Sequence, residues 1–378
     1  PPSRRVGSCL SCECASAACG FRRHRARAAR RVHCKTLNVQ SRCRISFRKA
    51  HERRHRRAAR TGRHCDIGSL AGCARKTHCR DYQEQNPMSA IAAINRPPGK
   101  AWYFLQLAPV RIVVAALSVA GIIAAVQLCA RAAHIKLKST PGVIFGLFLI
   151  VVMCAAYSGY ARLVERRKVV ELARGRALAE FASGVLVGAA LFVATAAILG
   201  LLGVWQFDGA NAWTALIYPL SIALGAAFFE EIFFRGILFR IAEESLGSWL
   251  ALALSAAVFG LVHGLNPAAS ALSILAICLE SGVLLAAAYM YSRRLWLPIG
   301  LHFAWNFTES GVFGASTSGS EAQGLLVSRL SGSELLTGGA FGPEASIVAV
   351  LVCLGASIGL LVLAGRKNHI VAPVWRRG

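Results

Sequence analysis

Three short groups of polar residues interrupt otherwise apolar sequence. Glu230-Glu231-Ile232-Phe233-Phe234-Arg235 lies in one apolar run, Phe259-Gly260-Leu261-Val262-His263 closes a second, and His302-Phe303-Ala304-Trp305-Asn306 lies in a third. Hydrolysis of an amide needs an activated water, a stabilised oxyanion and a protonated leaving amine. A carboxyl in apolar surroundings can shuttle a proton near neutral pH, so Glu230 is the candidate base. His263 is placed to hold or polarise the water. Asn306 and His302 are candidate donors to the oxyanion, where one donor is worth roughly 3–4 kcal/mol. A metal version uses the same side chains, because two His and one Glu (here Glu230, His263 and His302) form a known catalytic zinc set with an open fourth position. Zinc and a metal-free, glutamate-dependent route both stay open.

Helical spacing gives these residues a common direction. Glu231 and Arg235 are i,i+4 neighbours and can pair, which lowers the cost of burying both and makes them candidates for orienting Glu230. His302 and Asn306 are also i,i+4 and share a face. Glu230 points about 100° away from Glu231, free for another task. Counted at 1.5 Å per residue from expected span ends, Glu230 and His263 lie about 20 and 22 Å up, Asn306 about 16 Å and His302 about 10 Å. His302 fits this alignment least well.

The elements that must position them are membrane spans. Hydrophobic residues make up 55% of the 378 residues and charged residues 16%, with a mean hydropathy of +0.49. That balance excludes a disordered chain and speaks against an ordinary soluble enzyme. Apolar runs at 109–130, 142–161, 178–203, 213–240, 249–264, 268–291, 295–313 and 345–365 predict an all-α, polytopic transmembrane bundle of about eight spans. Ionisable groups inside such spans are expensive and mark function by default. The 162–177 loop carries Arg162, Arg166, Arg167, Lys168, Arg174 and Arg176 and is expected in the cytoplasm; the 204–212 loop has no Lys or Arg and is expected outside. Alternation then puts both termini in the cytoplasm and the Gly/Ser-rich 314–344 segment outside. Arg131, Lys136 and Lys138 run against this scheme.

Residues 1–87 read as a separate object. They hold 22 of the 43 Lys and Arg and nine of the 13 Cys, and the first Met is Met88. A metal- or nucleic-acid-binding arm (through Cys9, Cys12, Cys14 and Cys19) and an Arg-rich targeting peptide are two readings. The favoured one is a disordered or non-natural segment, the translation of GC-rich sequence upstream of a start at Met88. His51-Glu52-Arg53-Arg54-His55 matches H-E-x-x-H, but its Arg-rich flanks offer no apolar face to bury. The overall charge of +25 is concentrated in this segment, so no nucleic-acid partner is expected for the spans that follow. Cys129, Cys154, Cys278 and Cys353 read as small packing residues. Glu280 and Glu309 are further acids that could line the same cavity.

The ordered set E-E-x-x-x-R, F-x-x-x-H and H-x-x-x-N, each on its own apolar run, resembles the CPBP family: type II CAAX prenyl endopeptidases and bacteriocin-processing or self-immunity proteins. The resemblance covers about 213–310 and meets every motif position. It implies an intramembrane endopeptidase of the bacterial inner membrane, with membrane lipid and a peptide or membrane-protein substrate as partners. The family carries a metalloprotease name and also implies a metal-free route in some members. A non-proteolytic scaffold that regulates another membrane protein is the alternative reading. A proton-coupled transporter is weaker, for want of inverted repeats.

Overall fold

The computed structural model describes residues 100–136 and 139–377, which fall within the compact unit Met88–Gly378. The 1–87 segment, with its cysteine group and its H-E-x-x-H match, lies outside the described residues. A short helix α1 (Lys100–Leu105) leads into α2 (Ala108–Ala132), α3 (Thr140–Leu163) and α4 (Ala177–Leu201). Ser139 caps α3 by accepting from the Gly142 N–H at 3.3 Å, and Pro141 occupies the first turn, where no hydrogen bond is lost. Outward positions on these helices are large and apolar, such as Leu186 and Leu201, which suits contact with lipid tails.

Next come the strand β1 (Trp205–Ala210), α5 (Ile217–Glu231), a π-helical stretch (Ile232–Phe239) and α6 (Arg240–His263). The expected spans 213–240 and 249–264 follow each other with only the non-helical Gly247 to break the helix, and there the chain reverses. Gly247 has φ +75° and ψ 171°, a backbone conformation that an L side chain rarely adopts. Beyond it, Ser255 Oγ reaches the Phe234 carbonyl and the Phe259 ring packs on Phe234 at 4.8 Å, contacts a straight helix does not allow. This hairpin brings His263 back to the level of Glu230.

The remaining elements are α7 (Ala271–Ile277), π-helical Cys278–Gly282, α8 (Val283–Ser292), α9 (Trp296–Asn306), π-helical Phe307–Val312, β2 (Leu326–Leu330), α10 (Glu334–Thr337) and α11 (Ile347–Arg366). Among the described residues six helical stretches are long and apolar enough to cross a membrane, fewer than the eight expected. The difference has two sources. Two expected spans share the 213–263 element, and the 295–313 span is 11 α-helical residues followed by 6 π-helical ones. The fold is mostly helical, with one exception to the all-α expectation: β1 and β2 form an antiparallel ribbon, Trp205 opposite Leu330 and Ala210 opposite Leu326. It projects from the end bearing the 204–212 and 314–344 segments.

Close helix approach places α9. A Cβ on Gly184 or Gly188 would run into the carbonyl oxygen of Leu297 or Leu301, and one on Gly300 into that of Phe181. This small-xxx-small contact lets two backbones touch where lipid supplies no hydrophobic drive. Phe192, one turn further along α4, packs edge-on against Trp305 at 5.0 Å and against Trp205 at 6.0 Å.

The opposite end is tied by charge. Glu165 accepts from Arg111, Arg167 and Arg240, and Glu171 from Arg167 and from the Tyr157 hydroxyl. The C-terminal segment closes this end: the Val371 carbonyl accepts from the Ser248 N–H at 2.9 Å, beside the Gly247 turn.

Candidate active site

The two neighbouring glutamates of α5 face different surroundings. Glu231 is fully buried and accepts from Arg235 at 2.8 Å and from His302 Nδ1 at 3.1 Å. Arg235, also fully buried, donates further to the carbonyls of Ser281 and Gly282, both at 3.1 Å, and lies over the Phe259 ring at 4.7 Å. Those carbonyls border the π-helical turn 278–282, where the α-helical pairing is interrupted and an acceptor can turn to a side chain. Glu231 Oε1 and both terminal nitrogens of Arg235 are thereby satisfied, while Glu231 Oε2 and Arg235 Nε are buried without a hydrogen-bond partner among the described residues. The pair therefore locks α5, α6, α8 and α9 together immediately beneath Glu230.

Glu230 points the other way, into a cavity of about 890 Å³ that His263 and Asn306 also line. Its Oε2 is buried and makes no hydrogen bond. The Nε2 atoms of His263 and His302 both stand 3.8 Å from that oxygen. This is too long for a direct hydrogen bond and leaves room for a polar atom between them. His263 Nδ1 lies 2.8 Å from the Phe259 carbonyl, which can only accept, so Nδ1 carries a proton; in the neutral ring Nε2 is then the acceptor. His302 Nδ1 faces the Glu231 carboxylate in the same way.

The six motif residues thus come together. His302, the outlier in the depth alignment, nevertheless stands 3.8 Å from Glu230. Leu295 is fully buried, and its N–H bonds to the carbonyl of Glu171, in a loop folded inward. His302 does not line the cavity, whereas Asn306 does. Glu230, His263 and His302 are donor types of a hydrolytic zinc site. Among the described residues, however, no three His, Cys, Asp or Glu side chains are grouped to hold a metal ion. As placed, they are not a ligand set, and no step is routed through a metal.

Glu280 and Glu309 do not line the cavity; they are buried behind its wall. Glu280 accepts from Ser281 and from the Cys353 thiol at 3.3 Å. Glu309 accepts from the Glu344 N–H at 3.3 Å. Glu344 was not singled out in the sequence, since it follows a Gly/Ser-rich segment with no periodicity. Its Oε1 accepts from the N–H and hydroxyl of Ser318 at 2.6 and 2.9 Å, which pins the 317–323 wall of the cavity to the bundle. Burial pushes the Glu344 carboxyl up, against the opposing pull of His263 and of the hydrogen bonds from Ser318. The four described cysteines are free thiols; Cys353 is buried, Cys154 and Cys278 are half-buried, and Cys129 is exposed, so the packing expectation does not hold for Cys129.

Residues 211–308 match the family model described as type II CAAX prenyl endopeptidase Rce1-like. The match spans about a quarter of the chain and includes all six motif residues. It supports a CAAX-type intramembrane protease at the family level, consistent with the CPBP resemblance. No curated protein and no solved structure matches the chain.

Proposed function

We propose that this multi-pass membrane protein is an intramembrane endopeptidase that hydrolyses a peptide bond of a membrane-associated protein or peptide with a water activated by Glu230. The observation that carries this reading is the unpartnered Glu230 Oε2 at the cavity floor, faced by two imidazole Nε2 atoms at 3.8 Å.

A water between Glu230 Oε2 and His263 Nε2 meets two acceptors. It donates one hydrogen to each and leaves a lone pair for the scissile carbonyl. As the oxygen attacks, its proton passes to Glu230. The carboxamide of Asn306, on the same cavity surface, donates to the developing oxyanion. Glu230 then returns the proton to the leaving amine. His302, held by Glu231, presents an acceptor to Glu230 while the latter is protonated; its part is to position that carboxyl rather than to bind the oxyanion. Arg235 fixes Glu231, and through it His302.

Asn211, Thr214 and the 317–323 loop line the cavity and belong to the end expected outside the bacterial inner membrane. The Arg-rich end, with the C-terminal segment, faces the cytoplasm in this reading. The test is Glu230→Gln, followed by cleavage of candidate membrane substrates at matched expression. Loss of cleavage is expected; cleavage at the parent rate would overturn the proposal.

A further inference from the structure

Glu344 belongs to none of the motifs, is 2% exposed and does not line the cavity, yet its contacts lead to both sides of it. Its Oε1 accepts from the N–H and the hydroxyl of Ser318 at 2.6 and 2.9 Å. Its own N–H donates to Glu309 Oε1 at 3.3 Å. Glu309 follows Asn306 by three residues, in the π-helical stretch that continues α9. In the other direction, the Ser318 carbonyl accepts from Nδ2 of Asn266. The Ala268 N–H donates to Asn266 Oδ1 at 3.1 Å, which fixes the end of the carboxamide that faces Ser318. The Asn266 N–H in turn donates to the His263 carbonyl at 3.1 Å. Hydrogen bonds thus run from His263 through Asn266, Ser318 and Glu344 to Glu309, joining the end of α6 to the helix that carries Asn306.

The middle link of this chain is a tight turn. The Thr317 N–H bonds to the Ser320 carbonyl at 3.0 Å and the Ser320 N–H to the Thr317 carbonyl at 2.9 Å. Between them Ser318 has φ +49° and Gly319 φ +74°, the positive pair that marks a type I′ turn. Glycine adopts that conformation freely and serine does not, so position 318 is held there by its surroundings. Glu344 takes its N–H and hydroxyl, Asn266 takes its carbonyl, and the Phe341 carbonyl accepts from the Gly319 N–H at 2.7 Å. Thr317, Ser318 and Ser320 of the same turn line the cavity together with Glu230, His263 and Asn306.

We infer that Glu344 is a positioning residue, which through Ser318 and Asn266 holds His263 at its working distance from Glu230. The inference rests on the endopeptidase reading of the same site. Glu344 touches no reacting atom; it acts through the turn. The His263 ring is hydrogen-bonded only within its own helix, to the Phe259 carbonyl, so the end of α6 has to be fixed from outside. His302 needs no such tie, because Glu231 already holds its Nδ1 at 3.1 Å. The 3.8 Å between His263 Nε2 and Glu230 Oε2 suits one bridging polar atom. A misplacement of about 1 Å at such a site can cost about a hundredfold in rate. Loss of Glu344 should therefore loosen one imidazole and leave the other in place.

The test uses the full chain in detergent and has two arms, each run on variants whose unfolding midpoint stays close to the parent's. In the first, diethyl pyrocarbonate followed by mass spectrometry reports how fast each imidazole is modified. Glu344→Ala should speed modification of His263 at least about threefold, as local opening does, and leave His302 unchanged. In the second, cleavage of candidate membrane substrates is followed. The kcat of Glu344→Ala should fall about ten- to a hundredfold with KM within about twofold of the parent's. Glu344→Gln, whose amide oxygen keeps an acceptor for Ser318, should recover most of the lost rate. Asn266→Ala works through the same serine, so combining it with Glu344→Ala should cost little more than either change alone. Unchanged His263 reactivity in a folded Glu344→Ala protein, a loss confined to KM, or fully additive losses overturn the inference, and cleavage by the parent then leaves the endopeptidase reading intact. A parent that cleaves no candidate overturns the endopeptidase reading instead, and the imidazole arm still decides whether Glu344 positions His263.

Discussion

Gly188 of α4 and Leu301 of α9 meet backbone to backbone, with no room for a Cβ between them. Leu301 immediately precedes His302, so this contact sets how far the imidazole reaches toward Glu230. Gly188→Val should force the helices apart at an overpacking cost of about 1–3 kcal/mol and lower activity by more than it lowers stability. Gly200→Ala, where a Cβ meets nothing within 4 Å, is the matched control and should leave both unchanged. Comparing rate and thermal unfolding midpoint in the two variants checks this.

Removing one member of the Glu231–Arg235 pair strands the other inside the bundle. Arg235→Met is expected to cost about 3–5 kcal/mol. Adding Glu231→Gln to it should restore part of the stability while activity stays lost, because His302 then lacks its carboxylate. Unfolding in detergent and a cleavage assay separate the two effects. Equal stability of the single and double variants would contradict the account.

The charged end responds to acid. Burial alone would raise the Glu165 carboxyl, but the guanidiniums of Arg240, Arg111 and Arg167 reverse this and hold it down at about 2, below its ordinary 4.5. Glu171 is lowered as well, burial being outweighed by hydrogen bonds from Arg167 and Tyr157. A carboxyl with a depressed folded-state pKa contributes fully above its unfolded value and loses that contribution as pH falls through the folded one. Stability should therefore hold down to about pH 4.5 and decline toward pH 2. Arg240→Gln should move the decline to higher pH, as thermal melts across that range would record.

Much of this site is legible in the linear chain because its parts are local. Glu231 and Arg235 are i,i+4 on one helix, as are His302 and Asn306, and each sits in an apolar run that makes a charge conspicuous. What escapes such reading is set by distant contacts. The β1–β2 ribbon pairs Trp205 with Leu330, two segments that separately look like loops. The reversal at Gly247 interrupts no hydropathy signal strongly enough to fix its geometry. The π-helical turns at 232–239, 278–282 and 307–312 have no compositional mark. The approach of His302 to Glu230 is a contact between helices, which rise per residue alone does not give. Glu321 and Glu344 lie in or beside an aperiodic segment where only folding reveals which acid reaches the rim and which is buried.

Metal dependence has its own check. Both imidazoles stand 3.8 Å from the Glu230 carboxylate oxygen, and the proposed chemistry runs through that carboxyl and a water. Cleavage by purified protein should continue unchanged after exhaustive chelation, with no zinc retained. Loss of activity that added zinc restores would instead make Glu230, His263 and His302 ligands.

The central claim is that one carboxyl takes and returns the proton. It is tested most directly by cleavage of a substrate by Glu230→Gln protein purified in the folded state, shown by an unfolding midpoint close to the parent's. A positioned general base contributes about 10²–10⁴-fold, so the account predicts a rate reduced by at least about a hundredfold. A folded Glu230→Gln protein that cleaves at the parent rate would contradict it.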